Sequence, residues 1–122
     1  MSPLARANLL LLALLTAHTL DHGLNQPDRT QPDSAEFVGI AGFVIVAASC
    51  VLALRPSPLA PPVSAAVGMA TAFGVLAIHL VPQWSGFISD PYWDFSADAL
   101  SWLSLLALLG GASWLAWAGV SA

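Results

Sequence analysis

The chain of 122 residues is 57% hydrophobic and only 8% charged, with three basic residues against seven acidic ones and a formal net charge of -4. Soluble domains average roughly 25% charged residues, so this composition excludes a water-covered surface and leaves no second, polar module. Lys is absent and Arg6, Arg29 and Arg55 are scattered, which argues against a nucleic-acid partner.

Four apolar stretches, approximately 4–22, 37–54, 63–81 and 97–120, are each near the roughly 20 residues that cross a hydrocarbon core of about 30 Å. The expected fold is therefore all-α, a single integral membrane domain built as a four-transmembrane-helix bundle of two helical hairpins. Within the first stretch Arg6 precedes the apolar run LLLLALLTA as in a signal peptide, but Leu15 stands where cleavage before His18 would want a small residue, so it reads as retained. The separators GLNQPDRTQPDS, RPSPLAPP and PQWSGFISDPYWDFS carry Pro, Gly and Asp, which exclude them from helix interiors. Gly23 reads as the end of the first helix. Cys50, the single cysteine, lies in the second apolar stretch and reads as a small buried hydrophobe.

Arg6 and Arg55 fall on one side of the bundle, which the positive-inside rule assigns to the cytoplasm. This reading places the chain in the cell membrane with both termini cytoplasmic, Arg29 being the one dissenting charge. All seven acids and all three histidines then belong to the opposite end. The segment from His18 to Glu36 parallels that from His79 to Asp98: a His near the outer end of a helix, a polar loop, and an acid where the next helix begins. Two such hairpins would be related by an axis along the membrane normal. Gly39, Gly42, Gly68, Gly74, Gly110 and Gly111 suit close helix approach, while Trp84, Tyr92, Trp93, Trp114 and Trp117 suit the headgroup zone. The third loop, with Trp84, Phe87, Ile88 and Phe95, is apolar enough to lie over the bundle mouth.

The one dense polar motif is His18-Thr19-Leu20-Asp21-His22. On a helix His18 and His22 stand one turn apart and Asp21 shares their arc, so the two imidazoles can chelate one ion. His79 reaches a similar depth, three residues before Pro82, and Glu36 or Asp98 can add a carboxylate from the other two helices. The candidate ligands are thus His18, Asp21, His22, His79, Glu36 and Asp98. The competing account is local: Asp33-Ser34-Ala35-Glu36 forms a capping box, Asp98 caps the last helix, and Asp21 and His22 are solvated at the interface. A His followed by a DH pair resembles the helix signature of nickel and cobalt permeases, at a shorter spacing and over His18 to His22 alone. That resemblance implies metal ligands.

Three functions follow from these residues. The first is a site for a transition metal ion (Zn, Cu, Fe or Ni) at the extracytoplasmic end, serving metal handling or metal-dependent chemistry on a membrane substrate. The second is haem held by His18 or His22 together with His79. The third is an accessory subunit, as a homo-oligomer or within a larger membrane complex. No Ser or Cys sits beside a His as a nucleophilic hydrolase requires.

Overall fold

The computed structural model describes residues 1–26 and 33–122, with side chains described for 1–26 and 37–122. Helix α1 (Pro3–Asn25) starts at Ser2, whose hydroxyl accepts the Ala5 N–H, with Pro3 in the first turn where no backbone donor is needed. Its inward stripe carries Leu4, Leu11 and His18 at seven-residue intervals, so the apolar face that seats the helix also delivers the histidine. The helix does not end at Gly23. It runs on to Asn25, and Asn25 and Gln26 both donate to the Asp21 carboxylate, at 2.7 and 3.1 Å.

Helix α2 is Asp33–Ala53, with a described apolar stretch of 17 residues, Phe37–Ala53. Helix α3 (Ala60–Val75) begins with Pro61 and Pro62 in its first turn, earlier than the apolar run alone indicates, because proline is tolerated there. It continues as a π-helical turn, Leu76–Leu80, closed by the Val81 N–H on the Leu76 carbonyl. A short 3-10 turn (Tyr92–Asp94) precedes α4 (Ala99–Val120), which Asp98 caps by accepting the Ser101 N–H at 2.8 Å. No strand occurs among the described residues. Three helices, Pro3–Asn25, Ala60–Leu80 and Ala99–Val120, are long and apolar enough to cross a membrane.

Helices α2 and α4 each pack against both α1 and α3, so those two pairs lie across the diagonals of a four-helix arrangement. The α3–α4 seam is the tightest. Of the glycines expected to allow close approach, Gly68 does so against the backbone of Ala112 and Ala116, and Gly111 does so against the Leu14 side chain. Gly119 adds a further backbone contact, against Pro61 and Ala65. Gly39, Gly42, Gly74 and Gly110 instead face open space, which corrects their assignment to close packing. Outside the seams the helices present large apolar side chains such as Phe43, Val44, Phe73, Leu103 and Leu106, as lipid contact requires.

At the end opposite the histidines, fully buried Asn8 ties three helices together. It donates to the Leu4 carbonyl and the Ser64 hydroxyl, at 3.0 and 2.9 Å, and accepts from Ser49 at 2.7 Å. Asn8→Ala strands both hydroxyls in an apolar interior. A loss of roughly 1–2 kcal/mol is expected, between the usual penalty for unpaired buried groups and the smaller average for interhelical bonds in membranes. Unfolding in a denaturing detergent measures it, with Thr16→Ala as control: that hydroxyl bonds only the Leu12 carbonyl of its own helix. Equal stability of the two variants would contradict the role given to Asn8.

Candidate metal centre

His79 owes its position to the way α3 ends. Pro82 cannot donate a backbone N–H, and the π turn leaves carbonyls that α-helical bonding would otherwise use. The following loop supplies the donors. Trp84 Nε1 donates to the Ala77 carbonyl, the Asp90 N–H to Ile78 at 2.8 Å, and Trp93 Nε1 to Leu80 at 3.0 Å. Trp84 and Trp93 remain largely exposed, so each can cap a helix end and still face the interface. Folding back in this way draws Asp90 and Tyr92 over the bundle mouth. The Asp90 carbonyl accepts from His79 Nδ1 at 3.1 Å, and its carboxylate lies 3.9 Å from the same nitrogen.

His18 is oriented from α4. Its Nδ1 lies 3.4 Å from the Ser104 hydroxyl, which itself donates to the Ser101 carbonyl at 2.9 Å. Ser104 therefore has its lone pairs for His18, which makes Nδ1 the protonated nitrogen and turns Nε2 toward the other rings. There His18 Nε2 and His22 Nε2 are 3.2 Å apart. Two ring nitrogens at this separation either share one proton or face a common cation. Nitrogen ligands each about 2.0–2.1 Å from a tetrahedral ion stand roughly 3.3 Å apart.

One ring nitrogen from each of His18, His22 and His79 can be chosen so that all lie within 4.8 Å of one another, and no other group of this kind occurs among the described residues. The ring centroids of His18 are 4.6 Å from His22 and 5.3 Å from His79. His18 and His79 are buried and His22 is half-buried. Because α1 continues to Asn25, His18 lies roughly 10 Å inside its helix end at about 1.5 Å per residue.

Of the other predicted ligands, Asp21 and Asp98 make different contacts. Asp21 is buried, but its carboxylate engages Asn25 and Gln26, and Gln26 also donates to Ser101 at 3.0 Å, tying α1 to the start of α4. Asp98 serves as the α4 cap, and the histidine group forms without it. Glu36 and the Asp33–Glu36 capping box lie outside the described side chains. Tyr92 is a correction: expected as an interfacial anchor, it is 1% exposed, with its hydroxyl 3.3 Å from His22 Nε2 and its ring against His79, Phe95 and Trp102. Nothing in PQWSGFISDPYWDFS distinguishes Tyr92 from its aromatic neighbours. Its inward position follows from the tryptophan caps on α3, which are tertiary contacts.

A cavity of about 440 Å³ adjoins the histidines between α1, α2 and α3. His18, His22, His79 and Asp90 line one end, and Leu15, Val46, Val67, Val75, Ile78 and Leu108 line much of the remainder.

Comparison with protein-family models, with curated proteins and with solved structures yields no match to this chain. Its class rests on fold and site: a helical chain with three helices able to cross a membrane, carrying three clustered histidines from two of them. The third loop lies against that cluster through Asp90 and Tyr92.

Proposed function

We propose that this is a four-span membrane protein, with both termini cytoplasmic, that holds one transition metal ion in a three-histidine centre at its extracytoplasmic end. The observation that carries the reading is the convergence of His18, His22 and His79 within 4.8 Å. Ionisable side chains inside a membrane-spanning segment are costly, and three brought to one point by two helices and a loop suit a ligand set better than chance solvation. The Ser104 and Asp90 contacts act as the orienting partners that metal-binding imidazoles ordinarily have. Four spans require α2 to cross together with the other three helices, which its packing against both α1 and α3 favours.

Imidazole donors suit Zn, Cu, Fe or Ni, and three protein nitrogens with a fourth position available to an exogenous molecule is the pattern of a zinc site that polarises a bound oxygen. Along the bundle axis below the histidines, Leu11, Leu105, Leu108 and Leu115 are fully buried. Beyond the histidines and Asp90 the adjoining cavity is lined by no further imidazole or carboxylate among the described residues, and this lack of a second ligand set favours a resident ion over one in transit. The three imidazoles are also in ring contact with one another, which leaves no slot for a porphyrin plane between His18 and His79 and favours an ion over haem.

Elemental analysis of protein purified in detergent without chelators tests this directly. About one transition metal ion per chain is expected for the wild type, none for His18→Ala/His79→Ala, and no Soret band in either. Equal metal content in the two proteins, with helical circular dichroism retained in both, would sink the reading. An intense Soret band lost in the double variant would replace the ion with haem.

A further inference from the structure

The cavity beside the histidines is polar at one end only. From Val67 to His79 it follows α3 for roughly 18 Å at about 1.5 Å per residue, and its walls away from the histidine end are largely aliphatic. Its volume of about 440 Å³ falls within the roughly 300–1,000 Å³ of sites that enclose small ligands. Three glycines keep it open. A Cβ added at Gly39, Gly42 or Gly74 would meet nothing within 4 Å, whereas one added at Gly68 or Gly119 would strike the backbone of the facing helix. Thr19, Ile40, Ile45 and Ala70 line the cavity and are exposed, so it opens sideways between helices onto the apolar flank of the bundle. A molecule dissolved in the bilayer can enter there without crossing water.

Charge identifies the head of that molecule. A divalent ion held by three neutral imidazoles carries two positive charges, and Asp90, beside His79, supplies one negative charge. The Asp21 carboxylate is already engaged by two amides. Counting the described residues, one unit of charge remains, and in a low-dielectric site it favours an anionic oxygen donor over a neutral one. Among the described residues the only basic side chains other than histidine are Arg6 and Arg55, neither of which lines the cavity. The ion is therefore the natural partner for an anionic head.

Resting on the metal reading above, we infer that the cavity binds a long-chain carboxylate, a free fatty acid, with its carboxylate on the metal centre and its single alkyl chain in the slot between α1, α2 and α3. Binding of ion and fatty acid is then coupled, each strengthening the other.

The test is saturable binding of tritiated palmitate to zinc-loaded protein in phosphatidylcholine nanodiscs, with partition into empty discs subtracted and zinc content measured on the same samples. One site per chain is expected. Removing zinc, or His18→Ala, should weaken binding by about tenfold or more, the effect of losing one charge-assisted contact. Gly39→Leu and Gly74→Leu should keep their zinc and lose the palmitate. If either leucine variant also loses zinc, the double variant Gly39→Ala/Gly74→Ala, whose methyls enter open space, should show severalfold weaker binding with zinc retained. Palmitate binding that ignores zinc, survives the plugging variants, or is displaced equally by methyl palmitate would overturn the inference and reassign the slot to lipid chains in general. Those outcomes leave the metal reading standing. A wild type that takes up no zinc or other transition metal overturns both.

Discussion

His18→Ala and His79→Ala are each expected to weaken metal binding by on the order of 100-fold or more, above the roughly 10- to 100-fold lost when only a residue that orients a ligand is removed. His22→Ala should cost less. His22 is half-buried, next to the loop and the Tyr92 hydroxyl, so water can take its place more readily than at buried His18 or His79. Ser104→Ala leaves all three imidazoles but releases His18 Nδ1 from its acceptor, and about a tenfold loss is expected. Asp21→Asn should change affinity by less than about threefold, because Asp21 holds Asn25 and Gln26 and lies outside the histidine group. Competition against a chelating dye in detergent gives all five constants. If Asp21→Asn proved as damaging as His18→Ala while Ser104→Ala were silent, the ligand set would be the helix motif itself and the loop-assembled centre would be wrong.

How much of this is legible in the sequence depends on the range of the interactions. The helices follow from apolar runs bounded by Pro, Gly and Asp, and the His18/His22 pair follows from one-turn spacing. His79 was reachable too, since a helix that must stop at Pro82 places it at the same end. What could not be read locally is the loop between α3 and α4. Trp84 and Trp93 look like interfacial aromatics, and only the three-dimensional path shows them donating to Ala77 and Leu80, with Tyr92 carried inside as a result. Ser104 gave no signal, being one of several small residues in an apolar helix. At Gly23 the structure departs from the sequence expectation for a related reason. Its intrinsic cost in a helix, about 1 kcal/mol, is opposed by the bonds from Asp21 to Asn25 and Gln26 and from Gln26 to Ser101. Glycine by itself also cannot say whether it marks close packing or a void. Gly68 and Gly74 stand on the same helix, one against a neighbouring backbone and one lining the cavity.

That contrast sets the largest expected effect on stability. On α3, Pro61, Ala65 and Gly68 face Ala112, Ala116 and Gly119 on α4, a seam of small residues that lets two antiparallel backbones approach without large side chains between them. A Cβ at Gly68 would strike the Ala116 nitrogen and lie 2.7 Å from the Ala112 oxygen, and one at Gly119 would strike the Ala65 nitrogen and lie 2.7 Å from the Pro61 oxygen. These are backbone atoms and cannot swing aside, so the helices must separate. Gly68→Val and Gly119→Val are each expected to cost about 3 kcal/mol, the upper end for overpacking, and their effects should not add, because either one opens the same seam. Gly110→Ala, on the lipid-facing side of α4 with nothing within 4 Å, should be neutral or stabilising by up to about 1 kcal/mol through helix propensity. Equilibrium unfolding in mixed micelles measures all three. The histidines lie at the far end of the bundle, with Ser101 and Ser104 of α4 beside them, so a folded Gly119→Val protein should still bind metal. Destabilisation by Gly110→Ala equal to that by Gly119→Val would mean that the α3–α4 seam does not hold this bundle together.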